Sequence, residues 1–227
     1  LMSEGDRATE SFVLIKERVA DRLSVVIVRE VLPADATTKQ VLRALERLSN
    51  VAAGVIVQLP LPKQVNTEEV LRAIPREKDI DFIHPPVAEA IAEVLRRADF
   101  DVKNKKAVVV GAGKLVGAPA AELLKKLGAQ VSTITFTHGS LNELKNADIV
   151  VLGAGEPGFI KPEMLKAGVV LIDAGTSEAG GKLVGDADPT CAKVASVFTP
   201  VPGGIGPIAV AMLFRNLFTL TQKSTLR

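Results

Sequence analysis

The chain contains neither tryptophan nor tyrosine, and cysteine occurs once, at Cys191. Stacking on a flat ligand therefore depends on the eight phenylalanines or on aliphatic side chains. A single cysteine cannot form an internal disulfide, which is typical of proteins in a reducing compartment such as the cytosol. We expect a cytoplasmic protein.

An excess of either charge is also absent, since 28 Lys and Arg residues face 26 Asp and Glu residues. This balance offers no electrostatic footprint for nucleic acid or for an anionic membrane. No apolar run reaches the roughly 18 residues of a transmembrane helix, and the first residues lack the layout of a signal peptide. We expect neither nucleic acid nor a membrane as partner. The chain begins with Leu1, so we expect a segment upstream of it.

Short apolar runs alternate with amphipathic stretches along the 227 residues. This pattern favours parallel βαβ units buried on both faces, in a doubly wound α/β fold. The predicted strands are 25–28, 54–58, 106–110, 129–133, 149–152, 169–172 and 196–198, and the predicted helices are 9–22, 38–49, 67–74, 87–97 and 119–127. We predict two α/β domains: a parallel-sheet catalytic domain over 1–98 and a Rossmann-type dinucleotide-binding domain over 99–207. The C-terminal helix, 208–227, is expected to pack back on the first.

A glycine-rich turn follows the strand at 106–110. Gly111, Gly113 and Gly117 fit G-x-G-x-x-x-G, one residue longer than the common dinucleotide fingerprint. Gly111 permits a tight turn, Gly113 lets the backbone approach a pyrophosphate, and Gly117 allows close packing of the following helix. An ordinary strand-to-helix turn is the alternative. The strand before and the helix after favour dinucleotide binding.

Two further strand ends carry small residues. Gly153 and Gly155 follow the strand at 149–152, and Gly175 follows the strand at 169–172. Small residues at the carboxyl ends of parallel strands leave room for a ligand at the switch point of the sheet. An acidic residue that would bind a ribose hydroxyl is not evident after the strand at 129–133. His138 follows it instead, and either faces a ribose or phosphate or belongs to a solvated loop.

Four segments carry a resemblance to one family. They read V-Q-L-P-L-P at 57–62, K-D-I-D at 78–81, T-P-V-P-G-G-I-G-P at 199–207, and a helical run at 9–16 similar to S-x-x-Y-V-x-x-K. Over nearly its whole length, the chain resembles the bifunctional methylenetetrahydrofolate dehydrogenase/methenyltetrahydrofolate cyclohydrolases. The resemblance implies NAD(P)-dependent oxidation of 5,10-methylenetetrahydrofolate and hydrolysis of the methenyl product to 10-formyltetrahydrofolate, within one-carbon metabolism and purine biosynthesis.

The resemblance also implies roles for individual residues. It implies catalytic roles for Lys16, Gln58 and Asp81. Substrate contacts are expected from Phe12, Pro60, Pro202, Gly203 and Gly204, and cofactor contacts from Gly111, Gly113, Lys114, Gly117, Gly153, Gly155, Thr199 and Gly206. No metal is expected. The resemblance further implies tetrahydrofolate derivatives as ligands, a folate site in a cleft between the domains, and a homodimer formed through the dinucleotide domain.

The chemistry of these residues fits that reaction. A phenylalanine face can stack on a flat pterin, and the Asp81 carboxylate can accept its N–H groups. Hydrolysis needs water to attack a cationic methenyl carbon, and a lysine near Gln58 can relay protons if burial adjusts its ionisation. Hydride transfer needs mainly the positioning of two rings and the exclusion of water. Without the resemblance, Lys16 reads as a solvated surface charge and Phe12 as a core residue.

The chain departs from the family pattern at three places. Phe12 replaces the usual tyrosine, which removes a hydroxyl near Lys16 and weakens the case for hydrolysis more than that for oxidation. Ala112 and Gly113 replace an arginine and a serine, and that arginine helps to hold the 2′-phosphate of NADP. Lys114 is the nearest cation, so we expect NADP with only a slight preference over NAD.

The third departure is the short segment that follows Asp81. We expect residues to be missing from the printed sequence there, and hence a Cα–Cα step within 81–86 far longer than about 3.8 Å. A genuine deletion is the alternative.

Two other functions stay open. One is a related Rossmann dehydrogenase acting on another one-carbon pterin carrier or on a small acid, against which the Q-L-P-L-P segment with Lys16 argues. The other is a folate- or nucleotide-binding homologue with impaired catalysis, supported only by Phe12 and the shortened segment.

Overall fold

A computed structural model describes the backbone of residues 1–3 and 7–225 and the side chains of residues 1–3 and 12–222. The chain divides into two compact units. The first comprises Leu1–Pro85 together with Val210–Arg227, and the second comprises Pro86–Ala209. Each unit is described by itself below.

The first unit is built from helices around a small parallel pair of strands. Strand β1 (Met2–Ser3) pairs with β2 (Val31–Leu32), and the helices are α1 (Arg7–Arg22), α2 (Thr38–Val51) and α3 (Thr67–Arg72). A capping box between Thr37 and Gln40 starts α2, because the two residues satisfy N–H groups that the first helical turn leaves free. The buried face of α2 then packs on apolar residues of the following segment, among them Val55, Val57, Val70 and Leu71.

The sequence prediction is wrong for two strands of this unit. Residues 25–28 form no regular strand, and Val26 is 87% exposed. Residues 54–58 contribute one bridge, Val55 to Asp79, and exchange hydrogen bonds with the backbone of Leu1. An apolar run becomes a strand only where a neighbouring strand accepts its backbone hydrogen bonds, and 25–28 has no such partner among the described residues.

The second unit contains a five-stranded parallel sheet formed by β3 (Lys106–Val110), β4 (Gln130–Ile134), β5 (Ile149–Leu152), β6 (Val169–Asp173) and β9 (Ala195–Thr199), with helices α4 (Pro86–Arg97) and α5 (Gly117–Lys126). The strand order in the sheet is β4-β3-β5-β6-β9. An antiparallel hairpin, β7 (Ser177–Ala179) with β8 (Lys182–Val184), follows β6. Every residue of β5 and β6 is buried, as parallel strands covered on both faces require. The predicted strands of this sheet are confirmed to within two residues at each end.

The sheet core also encloses the only cysteine of the chain. Cys191 is fully buried, and its thiol donates to the carbonyl oxygen of Ile160 at 3.4 Å. Burial raises the pKa of the Cys191 thiol to about 11, because the low-dielectric interior disfavours the thiolate.

The division between the units falls at Pro85, whereas the sequence reading placed the boundary at residue 98. The difference is α4, which belongs to the second unit because it packs against α5. The last helix, α6 (Ile205–Thr225), begins in the second unit, and its residues from Val210 onward belong to the first. There Val210, Leu213 and Phe214 join Ala20 and Ile80 in an apolar cluster.

Candidate active site

Helix α1 presents two of the predicted site residues on one face. Phe12 and Lys16 lie four residues apart, a spacing that places helical side chains side by side. The Lys16 ammonium donates to Gln58 Oε1 at 2.9 Å in a partly buried setting, and Gln58 Nε2 donates to the Leu59 carbonyl at 3.2 Å. That second bond orients the amide, so that its oxygen faces the lysine. Phe12 is half-buried.

The third predicted catalytic residue, Asp81, lies in a turn built by a neighbouring carboxylate. Asp79 Oδ1 accepts the N–H groups of Asp81 at 3.1 Å and Phe82 at 2.7 Å, and Asp79 Oδ2 accepts that of Ile83 at 3.2 Å. One carboxylate thus binds three successive N–H groups of this turn, and the break expected within 81–86 stays a prediction. Helix α4 begins three residues after Ile83, at Pro86.

Burial and charge oppose each other at this cluster. Burial lowers the pKa of Lys16, while the negative charge of Asp81 acts in the opposite direction. Burial raises the pKa of Asp81, against the effect of Lys16, and the charge of Asp79 raises it further. Desolvation dominates for both groups and makes their charged forms less stable. A lysine and a carboxyl displaced toward neutral pH are suited to proton transfer.

Pro60 lies just after this cluster in the chain. It follows Gln58 by two residues, is exposed, and is joined to Leu59 by a cis peptide bond. Because Pro60 is exposed, its ring is accessible to a ligand that reaches Gln58.

In the second unit, three glycines let two strand-end loops approach each other closely. A Cβ on Gly111, whose φ is +102°, would lie 2.3 Å from the Gly153 oxygen. A Cβ on Gly117 would lie 2.0 Å from the Gly111 oxygen, and one on Gly153 would lie 2.5 Å from Val116 Cγ1. These positions exclude any side chain, since such contacts are far below van der Waals distance. The loops after β3 and β5 are thus locked together at the carboxyl edge of the sheet.

Gly113 differs from its neighbours because nothing lies within 4 Å of its Cβ position. Gly113 and Lys114 are exposed, and Gly117 starts α5, whose Val116 cap provides no side-chain hydrogen bond. Open backbone at the N-terminus of a helix is the cradle that a pyrophosphate requires. The residues present therefore fit a dinucleotide, and Lys114 is placed to meet a phosphate charge. Gly155, with a φ of +77°, is exposed in the adjacent loop.

Two buried aspartates, which sequence reasoning missed, fix these loops. Asp173 accepts the N–H groups of Gly175, Asp186 and Ala187. Asp186 in turn accepts those of residues 154–156, the loop after β5. Burial raises the pKa of Asp173 to about 6 and also raises that of Asp186.

Gly175 and Gly185 are required beside this pair. A Cβ on Gly175 would lie 2.2 Å from the Asp186 carboxyl carbon, and one on Gly185 would lie 2.1 Å from Asp173 Oδ2. An aspartate ending a buried strand before Ala-Gly is the signal that could have identified Asp173.

The loop after β9 contains the remaining predicted residues. Thr199 is buried, and its hydroxyl accepts from Asp173 N at 2.9 Å and donates to Asp173 O at 3.3 Å, so its proton is used within the sheet. Pro202 and Gly203 are exposed, and an added Cβ would meet nothing at Gly203 or Gly206. At Gly204 it would lie 2.5 Å from the Pro200 oxygen. This loop is tight at Gly204 and open around it.

His138 lies beyond β4 in an exposed turn closed by backbone hydrogen bonds with Thr135. In the described part of the chain, no group of three or more His, Cys, Asp or Glu side chains is arranged to hold a metal ion. Within residues 1–3 and 7–225, no helix has both the length and the hydropathy needed for a membrane crossing.

The structure brings together Lys16, Gln58 and Asp81 in one unit and the glycine-rich strand ends in the other.

A parallel sheet with glycine-rich loops at its carboxyl edge defines a nucleotide-binding protein of the Rossmann class. The chain belongs to the tetrahydrofolate dehydrogenase/cyclohydrolase family. The model of that family's catalytic domain matches residues 1–81, and the model of its NAD(P)-binding domain matches residues 85–225.

Individual relatives agree with this assignment. The bifunctional protein FolD of Caldicellulosiruptor saccharolyticus is 42% identical over 152 residues, which cover 63% of this chain and 53% of that protein. FolD of Chloroflexus aurantiacus is 40% identical over 167 residues, covering 64% and 58%. The structure of the Trypanosoma brucei methylenetetrahydrofolate dehydrogenase-cyclohydrolase complexed with NADP and an inhibitor has a TM-score of 0.91 at 30% identity, covering 99% of this chain and 86% of that one. The matches to the two FolD sequences span somewhat more than half of their length.

Proposed function

We propose that the chain oxidises 5,10-methylenetetrahydrofolate with a nicotinamide dinucleotide and hydrolyses the methenyl product to 10-formyltetrahydrofolate. The observation that carries this proposal is the 2.9 Å hydrogen bond between Lys16 and Gln58, next to the charge of Asp81, in a chain of this family. An ordinary surface lysine keeps its ammonium in water, because burial of a charge costs free energy. Lys16 is instead partly buried against the oriented amide of Gln58.

Lys16 supplies the proton transfer that hydrolysis needs. Its lowered pKa leaves more neutral amine near neutral pH than an ordinary lysine has. The neutral amine can take a proton from the attacking water, and the Gln58 oxygen holds it in place. Asp81 is the acceptor for the N–H groups of the pterin, and Phe12 and Pro60 are apolar surfaces for its ring. Pro202, Gly203 and Gly204 complete the proposed substrate contacts.

The glycine-rich loops supply the dinucleotide site. When bound, the nicotinamide accepts the hydride from the folate carbon. The chain's own part is to receive the pyrophosphate at Gly111, Gly113 and Gly117 and to hold the loop at Gly153 and Gly155. Thr199 and Gly206 belong to the same proposed set.

NADP is the dinucleotide that we propose, and NAD is the alternative. The Trypanosoma brucei relative is complexed with NADP. In this chain Lys114 is exposed beside the loop, and no arginine lies in residues 111–117. A single flexible ammonium grips a 2′-phosphate less firmly than a guanidinium does, so we expect only a modest preference. A cytoplasmic homodimer working in one-carbon metabolism and purine biosynthesis is part of the same proposal.

The test is an absorbance assay of NADP and NAD reduction with methylenetetrahydrofolate, and a separate assay of methenyl hydrolysis. We expect both activities in the unmodified chain. In Lys16→Gln we expect hydrolysis to fall by roughly 100-fold or more, as for loss of an acid–base group. Lys63→Gln, an exposed lysine of the same unit, is the matched control and should match the unmodified chain. A folded protein that binds folate and dinucleotide without turnover would instead be a binding homologue.

A further inference from the structure

The turn that carries Asp81 is held from both sides by buried polar side chains. We propose that Asp79 and Asn216 are positioning residues that hold the backbone of Ile80–His84 so that Asp81 faces Lys16. This inference rests on the function proposed for Lys16, Gln58 and Asp81. It adds two residues, Asp79 and Asn216, to which the family resemblance assigned no role.

Asp79 holds the N–H side of the turn. Its side chain is 1% exposed, and its two oxygens accept from three successive backbone N–H groups, as described above. Burying a carboxylate is costly unless hydrogen bonds compensate for the lost water. These three bonds provide that compensation. The buried carboxylate is therefore stabilised by the turn, and the conformation of the turn is stabilised by the carboxylate.

Asn216 holds the carbonyl side. It lies on α6, is 6% exposed, and its Nδ2 donates to the Ile80 oxygen at 3.2 Å and to the His84 oxygen at 2.9 Å. One amide nitrogen therefore joins the first and last residues of the turn. Loss of that group would leave two carbonyl oxygens without their donor.

Packing supplies this restraint only at the start of the turn, where Ile80 is buried among apolar residues. Phe82 and Ile83 are 41% and 37% exposed. Beyond Ile80, the turn is thus fixed by hydrogen bonds to Asp79 and Asn216 rather than by its own side chains. Asp81 lies within the turn, so a shift of this backbone moves its carboxylate relative to Lys16.

The ammonium of Lys16 reports on the position of Asp81. The Asp81 charge raises the pKa of Lys16 against the dominant effect of burial. Displacing Asp81 therefore lets the Lys16 pKa fall further, and the amine becomes reactive at lower pH. This readout needs neither folate nor dinucleotide.

The experiment is modification of the full chain with acetic anhydride across a pH series, with Lys16 acetylation quantified by peptide mass spectrometry. The midpoint is the pH at which Lys16 acetylation is half-maximal. Asp81→Asn removes the charge of Asp81 altogether, so it defines the largest expected shift of this midpoint toward lower pH. We expect Asn216→Leu, which keeps the volume and donates nothing, to reach at least half of that shift. Asp79→Asn keeps one acceptor oxygen and should shift in the same direction. Asp35→Asn, an exposed carboxylate of the same unit, is the control and should not shift.

An unchanged Lys16 midpoint in folded Asn216→Leu and Asp79→Asn would overturn the positioning role. If Asn216→Leu does not fold, Asp79→Asn decides the matter, because its side chain is isosteric. In the activity assays, both variants should lose roughly tenfold in kcat/KM for the folate. If the unmodified chain has no folate turnover while the midpoints still shift, the proposed function fails and the positioning stands. If the unmodified chain turns over folate but the Lys16 midpoint does not shift in either variant, the proposed function stands and the positioning role fails.

Discussion

Phe12 and Lys16 lie four residues apart on α1, a spacing that places position 12 on the same helix face as the proposed catalytic amine of Lys16. A phenyl ring offers that amine no hydrogen bond, whereas a tyrosine at the same position would add a hydroxyl. We therefore expect the residue at position 12 to influence the proposed hydrolysis.

We expect Phe12→Tyr to raise the rate of methenyl hydrolysis by about threefold to tenfold, the worth of one hydrogen bond. Dehydrogenase activity should change little, because hydride transfer does not use that proton path. The two assays run on the same preparation measure the ratio. Phe218→Tyr, at a half-exposed position on α6, is the matched control. Equal changes in both activities would contradict a role confined to hydrolysis.

The individual site residues could be predicted only where a motif marks them. Lys16 is one of many helical lysines, and nothing in its spacing distinguishes it without the segments at 57–62 and 199–207. Asp79, Asp173 and Asp186 were not identified as site residues, because their roles consist of hydrogen bonds to backbone groups that the fold brings together. Such bonds leave no periodic trace in a sequence.

At the scale of elements, the turn between β3 and α5 contains glycines of two kinds, one required by close packing and one that leaves open space. Gly117 is surrounded by backbone atoms, while the Cβ position of Gly113 is empty. The first serves the fold, and the second leaves room for a ligand. Alanine substitutions can distinguish these roles.

Gly113→Ala should leave the thermal unfolding midpoint unchanged and weaken dinucleotide binding by roughly tenfold, because the added methyl group blocks the pyrophosphate. Gly117→Ala should weaken binding too, and in addition it should lower the free energy of unfolding by about 2 kcal/mol, because its methyl group would overlap the Gly111 carbonyl. Thermal denaturation and titration calorimetry with NADP check the two effects. Unimpaired NADP binding by Gly113→Ala would place the pyrophosphate elsewhere.

The three central strands of the second unit, β3, β5 and β6, could be predicted closely because each is a largely buried apolar run. The edge strands β4 and β9 are only partly buried and less apolar. The run at 25–28 carries the same pattern, yet it stays largely exposed and unpaired. Apolar composition identifies a segment able to form a strand, but pairing depends on neighbours that are distant in the chain. The boundary at Pro85 was missed for a similar reason, since the packing of α4 on α5 is a tertiary contact.

At the scale of the whole molecule, buried carboxylates govern the response to pH. Asp81, Asp173 and Asp186 have raised pKa values in the folded chain, mainly through burial. Such groups bind protons more tightly when folded than when unfolded. Their contribution to stability is therefore present at low pH and is lost as the pH rises through their folded pKa.

We expect the free energy of unfolding to fall between about pH 4.5 and about pH 6.5, with Asp173 alone contributing roughly 2 kcal/mol over that interval. The size follows from the rise in its pKa from 3.8 to about 6. Urea denaturation at both pH values measures the difference, and Asp173→Ala should flatten the slope. Asp148→Asn is the control, because the pKa of Asp148 is lowered and its effect lies at more acidic pH. Stability that rises with pH over this interval would contradict the expectation.

The buried thiol of Cys191 has a practical consequence for spectroscopy. Because it is the sole cysteine, lies inside the sheet core and is scarcely ionised at neutral pH, maleimide dyes have little access to it in the folded chain. A cysteine introduced at an exposed position would then be the one site that accepts a fluorophore or a spin label. Single-label preparations can therefore be made from the native sequence plus one substitution, with no need to remove the natural thiol.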